Sequence, residues 1–259
     1  MITGAADRIG KAMALNLASS GTPVCIHYNH SDGAAQELAK TIQQAGGRAA
    51  TVQAELLDAE EVAGLVARAS TAIGAPIQCL INNASLFEAD GVGDLAPELF
   101  AKHFALHATA PALLADQMVN ALPPSPEGLA EGLAEGLIVN IIDQRVWALT
   151  PNFLSYTASK FALWGLTQTL AQAYAKSTSG QVRVNAIGPG PTLANVRQDP
   201  ADFQKQVDAV PLGRGPVLED FASTISYLWA TKSITGQMIA LDGGQHLAWE
   251  TPDVVGIAE

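Results

Sequence analysis

The segment TGAADRIG, from Thr3 to Gly10, carries the clearest structural signal near the start of the sequence. It leads into a run, Lys11–Gly21, whose apolar side chains recur at helical intervals. Gly4 and Gly10 would let the backbone approach a pyrophosphate closely, and the start of a helix presents free N–H groups and a positive dipole end. The segment therefore predicts a phosphate-binding turn, with an ordinary tight turn as the alternative.

Apolar runs alternate with helical stretches along the rest of the chain. The helical stretches include Gly33–Ala45 and Ala59–Ile73. The predicted strands are Val24–Tyr28, Ala49–Gln53, Cys79–Asn82, Leu137–Ile142, Val182–Ile187 and Met238–Leu241. This alternation predicts an α/β fold, a doubly wound parallel sheet with helices on both faces. With 259 residues, 48% of them hydrophobic, we expect residues 1–259 to form a single domain.

Two parts of the chain depart from this regular pattern. Only Met1 and Ile2 precede the turn at Thr3, so the first strand is either trimmed or a stub. The segment PPSPEGLAEGLAEGL, Pro123–Leu137, repeats an EGLA unit and is rich in proline and glycine. We expect residues 123–136 to form a low-complexity surface insertion without a functional role.

Composition and charge exclude several classes of function. The 14 basic and 25 acidic residues give a net charge of −11, which repels nucleic acid. No apolar run reaches the length of a membrane span, and the sequence predicts no signal peptide. Cys25 and Cys79 fall within predicted strands as reduced thiols, which favours a cytoplasmic protein. The sequence contains no HExxH or CxxC pattern, so we expect no metal site.

Tyr156 and Lys160 stand four residues apart in the helical run SYTASKFALWGLTQTLA. Positions i and i+4 share one face of a helix, so the Lys160 ammonium can lie beside the Tyr156 phenol. A tyrosine normally has a pKa near ~10, and a neighbouring cation would lower this pKa towards the range of a general acid. Together with Asp143, which precedes them at a strand end, the pair predicts a proton-delivery centre.

The end of the predicted strand Val24–Tyr28 bears on the choice of a dinucleotide. The stretch HYNHS, His27–Ser31, contains no acidic residue before Asp32, whereas an acidic residue there usually binds the ribose hydroxyls of NAD. Arg8, His30 and Ser31 offer donors for a 2′-phosphate instead. These residues predict NADPH, with a plain surface role for His30 as the alternative.

These motifs together resemble the short-chain dehydrogenase/reductase family over nearly the whole chain. Thr3–Gly10 is similar to its cofactor turn, Asn82–Ala84 to its NNA strand end, and Ile234–Gly244 to its last strand. Tyr156 and Lys160 match its active pair. The resemblance implies a nicotinamide dinucleotide held by Thr3, Gly4, Arg8, Ile9, Gly10, His30, Ser31, Asn83, Ala84, Ser85, Lys160, Pro189 and Gly190.

Within that family the sequence resembles the pteridine reductases and dihydromonapterin reductases most. Arg8 matches an arginine of these enzymes, and HYNHS resembles their HYxRS with His30 in place of arginine. Ser85 and Phe87 match the residues that hold the pterin against the nicotinamide. Asp143 stands where most of the family has serine. The resemblance implies that the substrate is held by Arg8, Ser85, Phe87, Asp143 and Tyr156.

The chemistry of Asp143 supports a heterocyclic substrate independently. A carboxylate accepts hydrogen bonds only and would repel the alkoxide formed from a ketone. Asp143 suits a nitrogen heterocycle with N–H groups, or a proton relay to a ring nitrogen if it is protonated, and Phe87 offers a flat apolar wall. The alternatives are that Asp143 caps an element and that Phe87 fills the core.

We therefore expect hydride transfer from NADPH to a C=N carbon of a pterin or related ring, with Tyr156 and Asp143 delivering the proton. Lys160 would bind the nicotinamide ribose and lower the Tyr156 pKa. His107 occupies the position of a family asparagine that holds a relay water, so it is a candidate relay residue, with a structural role as the alternative. His103 lies four residues earlier and is expected to be structural.

The resemblance also implies a covering loop and an oligomer. NAIGPGPTLANVRQDP, Asn185–Pro200, is similar to the family's PG turn and substrate-covering loop, with Thr192 and Leu193 closing over the substrate. The apolar tail near Trp249 and the Tyr156 helix would pack between the subunits of a homotetramer. Two other functions remain open: a general carbonyl or alcohol oxidoreductase of the same family, and a relative that binds NADP(H) without turnover.

Overall fold

Strands and helices alternate along the chain, and the computed structural model describes residues 1–124, 134–194 and 198–248. The strands are β1 Val24–Tyr28, β2 Ala49–Gln53, β3 Cys79–Asn82, β4 Gly136–Ile141, β5 Val182–Pro189 and β6 Met238–Leu241. The helices are α1 Arg8–Ser19, α2 Asp32–Gln44, α3 Ala59–Val62, α4 Leu65–Ile73, α5 Pro97–Phe104, α6 Ala110–Asn120, α7 Leu154–Ser177, α8 Pro200–Asp208 and α9 Leu218–Ala230. Shorter turns are a π-helical turn at Ala105–Thr109 and 3-10 turns at Gln144–Val146 and Gln245–Leu247.

All strand pairs are parallel, and the first residues of the chain join them into one sheet. β1 pairs with β2, while β3, β4, β5 and β6 follow one another in order. Ile2 bridges to Ile26 of β1 and to Ile81 of β3, so the segment at Met1–Thr3 takes the strand position between them. The predicted stub is thus the place where the strand order reverses, and ligands bind at such points at the carboxyl edge of a sheet.

Helices cover both faces of this sheet. On one face, α1, α2 and α9 bury Met13, Leu38 and Phe221 in one apolar cluster. On the other face, α4, α6 and α7 contribute to a second cluster that includes Leu65 and Leu114. Because each face of the sheet is covered, the strands are apolar on both sides, as their sequences predict. The doubly wound parallel architecture predicted from the sequence is confirmed.

The main difference from the predicted elements lies in Ala59–Ile73, which is not one helix. The helix ends at Val62 and resumes at Leu65, because Gly64 takes a left-handed conformation with φ of 70°. Part of the predicted insertion at 123–136 and the tail from Trp249 onward lie outside the described residues.

The described residues contain no helix long and apolar enough to cross a membrane. Within the same ranges, no group of three or more histidine, cysteine, aspartate or glutamate side chains could hold a metal ion. Cys25 and Cys79 are both free thiols.

Candidate active site

Asp143 and Tyr156 meet at the carboxyl edge of the sheet. Asp143 follows β4 and caps the next 3-10 turn, because its Oδ1 accepts the Arg145 N–H at 2.8 Å. Its Oδ2 accepts the Tyr156 hydroxyl at 3.0 Å. Asp143 therefore takes the capping role weighed from the sequence and also faces the phenol.

The Tyr156 pKa is shifted in the direction opposite to the one that its neighbour Lys160 predicts. Burial, and the Asp143 carboxylate beside the hydroxyl, raise the Tyr156 pKa well above its usual value. The expected lowering of this pKa by Lys160 is therefore wrong for the protein without ligands. The phenol is a neutral hydrogen-bond donor over the physiological pH range.

Lys160 lies on the same face of α7 as Tyr156, one turn further along. Its Nζ is 5.6 Å from the centre of the Tyr156 ring and donates a hydrogen bond to the Ile141 carbonyl at 3.0 Å. Burial lowers the Lys160 pKa to about 8. An ammonium group carries three N–H donors, and the described residues show a bond for one of them. This buried group fits the hydroxyl groups of a bound ribose.

The start of α7 is held by a residue that the sequence did not single out. The buried Asp90 carboxylate accepts the Ser155 N–H through both oxygens, at 3.1 and 3.2 Å. The Ser155 hydroxyl in turn lies 2.7 Å from Nδ1 of His103, a buried residue as expected for a structural histidine. Because an acidic group favours a helix start, Asp90 fixes the turn that carries Tyr156. Only the fold brings Asp90 to this helix.

An aromatic wall stands beside Tyr156. The Phe87 ring stacks on Phe153 with centroids 4.3 Å apart and meets Tyr156 edge-on at 4.8 Å. The Arg145 guanidinium lies 5.9 Å from the Phe87 ring centre and 5.1 Å from that of Phe153. Phe87 is half-buried and lines a cleft, so it does not simply fill the core. The cation at Arg145 is a second feature that sequence reasoning missed.

His107 projects from the π-helical turn between α5 and α6. Its Nδ1 is 2.8 Å from Ser159 Oγ, and its Nε2 accepts the Leu86 N–H at 3.1 Å and lies 3.0 Å from Ser85 Oγ. Burial and the nearby Lys160 charge hold the His107 pKa well below its usual range. Both ring nitrogens therefore have hydrogen-bond partners in the protein, and the proton relay expected for His107 stays a prediction.

The glycine-rich turn is joined to the end of β3. Asn83 Nδ2 donates to the carbonyls of Thr3 and Gly4 at 2.9 and 3.0 Å. The Thr3 hydroxyl accepts the backbone N–H of Asn83 and that of Ala84, at 2.9 and 3.0 Å. Thr3 is buried and is not among the residues that line the clefts, so its expected contact with a cofactor is replaced by this structural role.

Gly10 is required by close packing within the same turn. A Cβ at this position would stand 2.5 Å from the Gly4 carbonyl oxygen and 2.7 Å from Asn83 Nδ2. Gly4 has φ of 59°, in the left-handed region. On the β1 side, His27 Nδ1 accepts the Gly4 N–H at 3.1 Å, and burial lowers the His27 pKa to about 4. The turn is thus fixed from two strands, and α1 starts directly behind it.

A cleft of about 500 Å³ runs along this turn. It is lined by nine of the residues predicted to bind the cofactor: Gly4, Arg8, Ile9, Gly10, His30, Ser31, Asn83, Ala84 and Ser85. Bare glycine backbone, the start of α1 and the exposed donors at His30 and Ser31 suit the phosphates of a dinucleotide. The residues present therefore fit such a cofactor.

A second cleft of about 510 Å³ adjoins the first, since Arg8, Ile9 and Ser85 line both. It collects six further predicted residues of the site: Phe87, Asp143, Tyr156, Lys160, Pro189 and Gly190. Thr192 and Leu193 line it too, as expected for the covering loop. Residues 195–197 of that loop lie outside the described residues.

Arg8 spans the junction of the two clefts and does not point its donors at a phosphate. It has a left-handed φ of 53°. Its guanidinium donates to the carbonyls of Leu193 and Ala194 at 3.2 and 3.0 Å. In this structure Arg8 therefore ties the glycine-rich turn to the covering loop, and His30 and Ser31 remain the predicted donors to a 2′-phosphate.

Comparisons with known proteins agree with this arrangement. The model of the short chain dehydrogenase family matches residues 1–205. The FolM alternative dihydrofolate reductase 1 of Brucella canis, solved with NADP, is 54% identical, with a TM-score of 0.90 over 98% of this chain and 96% of that one. The corresponding Brucella suis protein, also with NADP, is 53% identical, with a TM-score of 0.91 over 98% and 97%.

A more distant relative carries a carbonyl-reducing name. The 3-oxoacyl-[acyl-carrier-protein] reductase of Synechocystis is 31% identical over 94% of this chain and 95% of that protein. The family model extends over both the glycine-rich turn and the Tyr156 helix. The chain belongs to the short-chain dehydrogenase family and is an oxidoreductase of that family.

Proposed function

We propose that this protein is an NADPH-dependent reductase that transfers hydride to a C=N carbon of a pterin, a folate or a related heterocycle. The observation that carries the proposal is Asp143, whose carboxylate accepts the Tyr156 hydroxyl at 3.0 Å where most of the family has serine. The similarity to two proteins named as alternative dihydrofolate reductases, each solved with NADP, supports both the substrate class and the cofactor.

NADPH, when bound, supplies the hydride, and a residue of the protein supplies the proton. The neutral Tyr156 phenol donates its proton to the ring nitrogen, which receives the electron pair of the C=N bond as the carbon takes the hydride. Asp143 accepts an N–H of the ring and so orients it. The Lys160 ammonium, 5.6 Å from the Tyr156 ring, offsets the negative charge that proton transfer leaves on the phenol.

The walls of the second cleft suit a flat ring. Phe87 lies against it with an apolar face, and its stacking on Phe153 at 4.3 Å holds that face in place. Ser85 stands on the same side, where the two clefts adjoin. Arg8 and Leu193 close the cleft through their hydrogen bond.

NADPH is favoured over NADH by the end of β1. His30 and Ser31 are exposed there and line the cofactor cleft. The first acidic side chain, Asp32, already accepts the Tyr28 hydroxyl at 2.7 Å. Asp32 stands one position beyond the stretch His27–Ser31, which itself offers no acidic group to bind ribose hydroxyls, as NAD would require.

The proposal also covers the cellular location and the oligomeric state. Free thiols at Cys25 and Cys79 within strands suit a reducing compartment, so we propose a cytoplasmic enzyme. Phe161 is 40% exposed on α7, the helix that carries Tyr156, which supports a homotetramer assembled through that helix.

A general carbonyl reductase is the second candidate, because the 3-oxoacyl reductase of Synechocystis is 31% identical. The two functions differ in what Asp143 does. A carboxylate repels the alkoxide formed from a ketone, whereas it binds the N–H groups of a heterocycle. A relative without turnover is disfavoured by the complete set of Asp143, Tyr156 and Lys160 in one cleft.

The test compares wild type with Asp143→Ser on a panel of dihydropterin, dihydrofolate, a quinone and simple ketones, following NADPH oxidation. Wild type should reduce the heterocycles and leave the ketones unreacted. The serine variant should lose about tenfold or more on the heterocycles, the effect of one charged hydrogen bond, and gain on the ketones. Gain on ketones without loss on heterocycles would refute the role of the carboxylate.

A further inference from the structure

His107 stands behind the substrate cleft, where the π-helical turn at Ala105–Thr109 interrupts the path from α5 to α6. Its side chain is 1% exposed and points between the end of β3 and the first turns of α7. Short π-helical turns are uncommon and occur often at functional sites. The mechanism above makes no use of this buried imidazole.

The hydrogen-bond partners fix which nitrogen of the ring carries the proton. The Ser159 hydroxyl donates its single hydrogen to the Tyr156 carbonyl at 2.7 Å. At the 2.8 Å contact with Ser159, His107 Nδ1 must therefore be the donor. Nε2 must be the acceptor, because the Leu86 backbone N–H points at it over 3.1 Å. The ring is neutral, with its proton on Nδ1.

This tautomer also decides the direction of the bond to Ser85. A bare Nε2 at 3.0 Å can only receive the Ser85 hydroxyl hydrogen. The Ser85 oxygen then faces the clefts that it lines, and the neighbouring Tyr156 hydroxyl, with its lone pairs. Ser85 is thereby an acceptor at the cleft, like Asp143, and two acceptors suit a ring that presents N–H groups.

We propose that His107 is a positioning residue: through Nε2 it holds the Leu86 N–H and the Ser85 hydroxyl, and so sets Ser85 as an acceptor and Phe87 as the wall of the substrate cleft. The inference deepens the proposed function and rests on it for the identity of the ring. It assigns to His107 no exchange of protons with the substrate, in agreement with its burial and with the nearby Lys160 charge, which both disfavour a second proton on the ring.

The first test needs no variant. Long-range proton–nitrogen NMR on histidine-labelled protein should show His107 with a protonated Nδ1 and a bare Nε2, unchanged between about pH 5 and about pH 8. The resonance is assigned by its loss in His107→Gln. A proton on Nε2, or titration of the ring in this range, would overturn the proposal.

The second test uses two replacements that each keep one half of the imidazole. Glutamine can place an oxygen near the position of Nε2 and keep the acceptor, whereas asparagine can keep the donor near Nδ1. In His107→Asn, the Leu86 amide should exchange with solvent at least about tenfold faster than in His107→Gln, because its acceptor is lost. Equal exchange in the two variants would contradict the assigned contact.

The kinetic arm separates the inference from the proposed function. His107→Asn should raise KM for dihydrofolate about tenfold with a smaller change in kcat, and His107→Gln should restore most of the loss. Ser159→Ala removes the Nδ1 partner and the bond to the Tyr156 carbonyl but keeps Nε2 as the acceptor, so KM for dihydrofolate should behave as in His107→Gln. A drop in kcat alone, with a new ionisation in its pH profile, would indicate a relay and overturn the inference. Wild type that reduces no heterocycle would refute the proposed function, while NMR and amide exchange would still decide the role of His107.

Discussion

Tyr156 shows how strongly one neighbour determines the chemistry of a side chain. With serine at position 143, the phenol would face a neutral hydroxyl; with aspartate it donates to a carboxylate at 3.0 Å and its pKa rises. The sequence predicted that these groups would meet, because both belong to recognisable positions. It did not predict the direction of the pKa shift, since burial and the exact partner of each oxygen depend on the packed site.

Lys160 is held in a position that costs stability. Its pKa of about 8 lies below the usual 10.5, so the folded state disfavours the charged form. Unfolded chain binds more protons between these two pH values, and stability should rise as pH increases from about 8 to about 10.5. Below pH 8 the full cost applies.

Replacing Lys160 with methionine should therefore stabilise the cofactor-free protein at neutral pH while abolishing most turnover. We expect a gain of about 1–2 kcal/mol, because relief of the buried charge exceeds the lost bond to Ile141. Urea unfolding at pH 7 and at pH 10 measures the effect, and the gain should shrink at the higher pH. A variant that is less stable than wild type at pH 7 would show that the buried ammonium does not destabilise the folded state.

At the scale of elements, the glycine-rich turn between the first strand position and α1 is packed too closely to accept a side chain at Gly10. Gly10→Ala would place a Cβ 2.5 Å from the Gly4 carbonyl oxygen, so the turn must shift. We expect the affinity for NADPH to fall about tenfold or more, measured by calorimetric titration. Gly165→Ala on the exposed face of α7 is the matched control, because its Cβ would meet nothing within 4 Å. Equal affinities in both variants would contradict the role of the turn.

Elements whose signal is local were predictable, and those fixed by distant contacts were not. All six strands lie within one or two residues of their predicted bounds because each is a short, mostly apolar run. The interruption at Gly64 and the π-helical turn around His107 have no local signal of comparable strength. Asp90 reaches the start of α7 only through the fold, since Ser155 is 65 positions away in the sequence.

At the scale of the whole molecule, the tetramer that we propose is supported by an exposed apolar side chain on the surface of α7. Phe161 is 40% exposed on this helix, one residue after Lys160. If the helix packs between subunits, Phe161→Glu should convert a tetramer into smaller species, because a carboxylate would be buried at the contact. Light scattering coupled to gel filtration gives the masses. A wild-type monomer, or a tetramer that persists in the variant, would contradict assembly through this face.

The two clefts adjoin at the edge of the sheet where the strand order reverses. The proposed reaction takes place there and requires Tyr156 as the proton donor. Its most direct test is the rate of NADPH oxidation with dihydrofolate, measured for wild type and Tyr156→Phe alongside the NADPH affinity of each. We predict turnover by wild type, a loss of about 100-fold or more in the variant, and NADPH affinities within about threefold of each other. Turnover that survives the loss of the Tyr156 hydroxyl would contradict the proposed proton donor and the account built on it.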